Sequence, residues 1–191
     1  MTTHYIDITL LPDPEFSHAH LMGALVAKLH RALVLGQTQG IGMSYPEHVA
    51  QPANRRTLGS VLRLHGTAPA LDCLMGLDWL KGMRDHTQVS ALSAVPDTAR
   101  YRVVSRRQFK TNVDRLRRRR MQRKGETAEQ AAAAIPDSVE RRPDLPFVQL
   151  RSSSTGQPFC LCIEHGPLLA RPVAGAFNAY GLAQEATIPW F

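Results

Sequence analysis

Tyr5-Ile6-Asp7-Ile8-Thr9-Leu10-Leu11-Pro12-Asp13-Pro14-Glu15 is the stretch on which the fold turns. Residues 5–10 alternate with period two, the pattern of a strand with one buried face. Pro12-Asp13-Pro14-Glu15 ends that strand and opens a helix. From about Ser17 to Leu35, Leu21, Leu25, Leu29, Ala32 and Leu33 recur at helical spacing, and Gly36 is a natural stop. At about 100° per residue His30 falls near the edge of this apolar face, where an imidazole is half-packed yet reaches solvent or a ligand.

Further along, Ile41, Met43 and Tyr45 alternate before Pro46 and give a second strand, and Val61-Leu62-Arg63-Leu64-His65 gives a third. His48 to Thr57 is polar and loop-like. A second helix runs from about Pro69 to Gly76, with an extension through Trp79 and Leu80, and Gln88 to Val95 reads as a weaker fourth strand ending at Pro96. The order strand, helix, strand, strand, helix, strand is the ferredoxin-like βαββαβ pattern. Pro96-Asp97-Thr98 is the best boundary, dividing the chain into residues 1–97 and 98–191. The expected class is α+β, a ferredoxin-like N-terminal domain followed by a smaller C-terminal α/β domain.

In the second half, Tyr101 to Arg106 reads as a strand leading through Gln108 towards Arg115-Leu116-Arg117-Arg118-Arg119-Arg120-Met121-Gln122-Arg123-Lys124, seven cations in ten residues. Such a run repels itself unless a polyanion takes up the charge. Its residues are good helix formers, with no Gly or Pro before Gly125. On a helix Arg115, Arg119 and Arg123 form one stripe, flanked by Arg118 and Gln122. Leu116 and Met121 are too few to bury a side deeply, so this helix should lie largely outside the core. A solvated basic face or a disordered tail is the bland alternative, and the globular-looking sequence on both sides argues against a tail. Thr127 with Gln130 makes a capping box for a short helix through Ala134, stopped by Pro136. Strand-like runs return at Phe147–Arg151, Phe159–Ile163 and Phe177–Tyr180, with Ser152–Gln157 as a polar hairpin loop.

A chain of 191 residues with net charge +7 and pI near 9.8 implies an anionic partner. Three cysteines make no disulfide framework and suit a reducing cytoplasm. The first ten residues lack the layout of a signal peptide, and no apolar run reaches the roughly 18 residues that span a bilayer, so no membrane partner is expected. Cys160, Cys162 and His165 have no fourth ligand at a usual zinc spacing, and the 16 acidic residues are scattered, so no metal or other cofactor is expected. RNA can still be cut through its own 2′-hydroxyl, given a base, a group that orients the hydroxyl and cations for the developing charge. Histidine suits the proton transfers. Composition alone does not choose among the eight present.

The arginine run, with Lys28-Leu29-His30-Arg31-Ala32-Leu33, Val104-Ser105-Arg106-Arg107-Gln108, the segment Leu150 to Phe159, Tyr180-Gly181-Leu182 and Pro189-Trp190-Phe191, resembles the CRISPR precursor-RNA endoribonucleases of type I-F systems. The resemblance covers Tyr5 to Phe191. It implies a ferredoxin-like domain, a smaller domain with the arginine helix, and metal-free cleavage at the base of a repeat hairpin that leaves a 2′,3′-cyclic phosphate and a 5′-hydroxyl. It implies further that the protein keeps its product and caps the guide RNA beside other subunits of a surveillance complex.

By the same resemblance His30 takes part in proton transfer, Ser152 holds the reacting ribose hydroxyl and Tyr180 orients the site. Arg106 and Gln108 read base edges at the foot of the stem, and Phe159 stacks under its last pair. Arg118, Arg119 and Arg123, with Arg115, Gln122 and Lys124 along the helix and Ser154 and Thr155 in the loop, contact the RNA. The chain departs from the family pattern at Arg120, Gln122 and Lys124, where an apolar residue, an arginine and a histidine are expected. A non-catalytic RNA-hairpin-binding module is the main alternative, and a DNA-binding regulator the second.

Overall fold

The computed structural model describes residues 2–51, 56–108, 113–139, 144–152 and 155–191. Strand β1 (His4–Leu10) enters through Pro12 and Pro14 into helix α1 (His18–Leu35). Ser17 caps α1, its side chain accepting from the His20 amide, and the Gly36 N–H closes the far end on Ala32 and Val34 carbonyls. Leu21, Leu25, Leu29 and Leu33 are each at most 3% exposed. Burial of a leucine contributes about 2 kcal/mol, so this stripe decides how the helix sits.

Strands β2 (Gly42–Ser44) and β3 (Val61–Gly66) follow, then helix α2 (Ala68–Met75), capped by Thr67, and strands β4 (Thr87–Val89) and β5 (Ser93–Ala94). The sheet order is β2-β3-β1-β4, every pair antiparallel, with β5 also on β1. Two expectations need correction. The second helix does not extend to Leu80, because Gly76 caps it and Asp78 takes φ 49°, outside helical space. The single strand over 88–95 is two short strands. β4 meets β1 at Ile8–Leu10 and β5 meets it at His4–Tyr5, with Ser90 between them tying its hydroxyl to the Asp7 amide at 2.9 Å.

The second sheet orders β7-β8-β6-β9, from β6 (Arg100–Arg107), β7 (Phe147–Arg151), β8 (Pro158–His165) and β9 (Thr187–Trp190), again antiparallel. β9 has no counterpart among the expected strands. Phe177–Tyr180, expected as a strand, is a turn instead. Asn178 accepts from the Tyr180 and Leu182 amides at 2.8 and 3.3 Å, and this local bonding replaces a ladder.

The chain is thus mixed α+β, with two antiparallel sheets and four α-helices among the described residues. Strands of the first sheet lie before residue 97 and those of the second after 98. Compactness groups the chain differently, with residues 1–107 and 145–191 in one unit and residues 108–144 in the other. In the larger unit one core joins both sheets, running from Ile8, Leu62 and Leu64 through Leu25 and Leu29 to Val148, Leu161, Ile163 and Ile188. The smaller unit holds helices α3 (Val113–Lys124) and α4 (Ala128–Ala134), the latter with its Thr127–Gln130 capping box complete. Among the described residues no helix is long and apolar enough to cross a membrane.

Candidate nuclease and RNA-binding site

Helix α1 and strand β7 meet at Gly23. A Cβ at that position would lie 2.8 Å from the Gln149 carbonyl oxygen, so only glycine permits the contact without a shift. Seven residues on, about 10 Å along a helix, stands His30. Three residues on from Gln149, about 10 Å along a strand, stands Ser152. A cavity of about 380 Å³ opens at this end, walled by Ala27, His30, Arg31 and Val34 from α1 and by Leu150, Arg151 and Tyr180 opposite.

The His30 ring is fixed twice. Its Nδ1 lies 2.7 Å from the Ala179 carbonyl, and because a carbonyl only accepts, Nδ1 carries the proton. In the neutral ring Nε2 is therefore the basic nitrogen. The plane is set by Tyr180, whose ring stacks on the imidazole at 4.0 Å and 5°. Tyr180 in turn sits in the Asn178 turn, which docks on the edge of the first sheet through the Met43 amide and the Gly181 carbonyl at 2.8 Å. Gly181 holds φ 70°, and a Cβ there would come 3.2 Å from the Met43 nitrogen.

Ser152 closes the β7–β8 hairpin. Its amide donates to Gln157 and its carbonyl accepts from Gly156, both at 2.9 Å, while its Oγ accepts from the Thr155 amide at 3.2 Å. Its neighbours Leu150 and Arg151 line the cavity with His30 and Tyr180. Ser154 lies outside the described residues. Phe159, half-buried, pairs with Leu150, and the Arg106 guanidinium lies 5.6 Å from its ring centre. Arg106 Nε is buried with no hydrogen-bond partner among the described residues.

Geometry separates His30 from four of the other seven histidines. His65 is fully buried, bonded to Ser44 Oγ at 2.8 Å, and burial drives its pKa down to about 3. His165 stacks on His48 at 3.6 Å beside Trp190, and burial pushes it down to about 2. His48 is lowered as well, chiefly by burial. His86 pairs with Asp13 at 2.9 Å. A second hollow, of about 360 Å³ near Tyr101 and Val173, contains no histidine, cysteine or basic side chain. Among the described residues no group of three His, Cys, Asp or Glu is placed to hold a metal ion.

In the smaller unit the cations of α3 divide by face. Arg117 donates to the Ile135 carbonyl at 3.0 and 2.8 Å and to Asp137 at 2.8 Å. Arg120 pairs with Glu126 at 2.6 and 3.1 Å, which holds the Glu126 carboxyl below its usual range. Arg115, Arg118, Arg119, Gln122, Arg123 and Lys124 are exposed. Arg120, where an apolar residue was expected, ties the helix to the following turn through Glu126. Gln108 is exposed at the start of this unit.

Sequence reasoning missed Ala179, Asn178 and Gly23. A backbone carbonyl carries no residue signal, and Gly23 looks like any helical glycine until β7 is laid across it.

Two curated proteins are similar over almost the whole chain. Both are described as CRISPR-associated endonuclease Cas6/Csy4: one from Pseudomonas aeruginosa (strain UCBPP-PA14), 48% identical over 98% of this chain and 99% of its own, and one from Escherichia coli (strain UTI89 / UPEC), 47% identical over the same shares. The family model described as CRISPR-associated protein (Cas_Csy4) matches residues 5–191, and the chain belongs to that family.

Proposed function

We propose that this protein is a metal-independent endoribonuclease that cuts CRISPR repeat hairpins in precursor RNA. The observation that carries the reading is the doubly fixed His30, its Nδ1–H on Ala179 and its face on Tyr180, at a cavity bordered by the end of β7, which leads into Ser152. Ser152 orients the ribose 2′-hydroxyl. Nε2 of His30 takes the proton as the 2′-oxygen attacks the adjacent phosphorus, the P–O5′ bond breaks, and the leaving oxygen is protonated. The products are a 2′,3′-cyclic phosphate and a 5′-hydroxyl. The nucleophile is the RNA's own hydroxyl, so the scheme calls on no group outside the protein and its substrate.

Specificity comes from Arg106 and Gln108 on base edges, Phe159 under the terminal pair, Ser154 and Thr155 at the loop, and the exposed face of α3 on the stem phosphates. Guanidinium forks match phosphate and guanine edges in a way ammonium groups do not. These contacts survive the cut, so the protein stays on the 3′ hairpin, next to other subunits of a cytoplasmic surveillance complex. The first sheet's order, β2-β3-β1-β4 and wholly antiparallel, supports a ferredoxin-like reading of residues 1–97, with residues 98–191 as the RNA-binding domain bearing the arginine-rich helix.

The test is incubation in EDTA with a repeat hairpin and with the same RNA carrying a 2′-deoxy nucleotide just upstream of the scissile phosphate. Cutting of the first alone is expected. A hairpin bound and left uncut would reduce the protein to a binding module.

A further inference from the structure

We infer that Gln122 reads one base pair of the hairpin stem, selecting an adenine by its major-groove edge, while the arginines around it hold phosphates. The inference rests on the reading of α3 as the stem-binding helix and is independent of the cleavage scheme. One side of α3 is fastened to its own unit: Val113 is 5% exposed, Arg117 donates to Ile135 and Asp137, and Arg120 pairs with Glu126. At about 100° per residue those three fall within about 60° of one another, and Gln122 falls about 170° from their middle. It therefore stands on the crest of the helix, furthest from the unit's own body. Gln122 is exposed, and its amide has no hydrogen-bond partner among the described residues.

By the same rotation Arg115 shares the crest within about 20°, Arg118 stands about 40° to one side, and Arg119 and Arg123 stand about 60° and 100° to the other. A helix laid along a groove points its crest at the floor, where the base edges are, and its flanks at the two phosphate walls. Guanidinium forks on the flanks suit those walls. An amide on the crest has no charge to exchange for counterions, so it adds little to the sequence-independent attraction. What it offers is a donor and an acceptor side by side. Adenine presents the complement, its N7 acceptor beside its N6 amino donor, whereas guanine presents two acceptors that suit arginine. A continuous A-form major groove is too narrow for this contact, so the pair that is read lies near a loop or bulge, where the groove opens. The substrate class is thus a hairpin with an A–U pair close to its loop, facing Gln122.

The experiment uses uncleavable hairpins, each 2′-deoxy at the cutting position, in which every stem pair in turn is made A–U, U–A, G–C or C–G, with Kd read by filter binding. At one pair near the loop the wild-type protein should prefer adenine on one strand by at least about fivefold. Gln122→Ala should erase that preference and leave those at other pairs unchanged. Gln122→Arg should move it to guanine and steepen the slope of log Kd against log salt by about 0.9. Melting curves matching the wild type exclude a folding defect. A preference that survives Gln122→Ala overturns the inference, as does a Gln122→Ala protein weakened equally on every stem, or a wild type indifferent to every pair near the loop. Failure to bind any hairpin of the panel defeats the stem-binding reading, and the inference with it.

Discussion

Replacement of Gly23 by alanine probes whether the contact between α1 and β7 sets the position of His30. The added Cβ would sit 2.8 Å from the Gln149 carbonyl oxygen, where ordinary contact begins near 3.4 Å, so helix and strand must part by about 0.6 Å. Gln149 is hydrogen-bonded into the β7–β8 ladder opposite Cys160 and yields little. Overpacking of this kind costs about 1–3 kcal/mol, and the better helix propensity of alanine returns at most about 1 kcal/mol. A net loss of roughly 1–2 kcal/mol lowers Tm by about 2–8 °C in a chain of this size. The larger effect falls on chemistry, since misplacement on the order of 1 Å costs about 100-fold, and a shift of about 0.6 Å should slow single-turnover cleavage roughly tenfold. Hairpin affinity should change far less. The assay pairs thermal melting with single-turnover cleavage of a repeat hairpin. A Gly23→Ala protein that melts and cuts like the wild type would refute the close approach. One that melts lower but cuts normally would refute the link from Gly23 to His30.

Other consequences follow from the same geometry. His30→Ala should abolish cleavage in EDTA with hairpin Kd within about twofold of wild type, whereas Arg119→Ala should raise Kd about 10- to 100-fold, the scale of one charged hydrogen bond, as read by filter binding. Asn178→Ala removes the acceptor for two amides of the turn that carries Tyr180, and should cost about 1–2 kcal/mol in urea melts together with a loss of cleavage rate. The folded-state pKa of His65, about 3, lies below its unfolded value of about 6.5, so the unfolded chain binds the extra proton between them. Stability from this group is full above about pH 6.5 and is lost on acidification, by up to about 1.4 kcal/mol per pH unit. Urea melts between pH 7 and 4.5 should show that slope, and His65→Phe should reduce it.

Much of this architecture is legible in one sequence because its signals are local. Ser17 and Gly36 mark α1, Thr127 and Gln130 mark α4, and the alternation of Ile6, Ile8 and Leu10 marks β1. Failures came where a particular side chain or a distant partner strand overrode composition. Phe177–Tyr180 has strand composition, yet the Asn178 side chain captures its own backbone. Thr187–Trp190 contains Pro189, which argues against a strand, but it pairs with Tyr101 in β6 all the same. The place of His30 at the edge of an apolar face was readable from helical spacing. Its partner was not, because that partner is a peptide carbonyl 149 residues away.

That separation has a consequence for synthesis. His30 is made early, the hairpin that ends near it more than a hundred residues later, and the carbonyl and ring that fix it later still. A ribosome adding about 5–20 residues per second carries an unfinished site for roughly 7 to 30 s, in which His30 has neither tether. On the proposed reading a nascent chain therefore cannot cut RNA until the turn around Tyr180 has docked on the Met43 edge. Truncated products of aborted translation that stop before that turn share the same inertness, so ribonuclease activity is restricted to chains that have completed their fold.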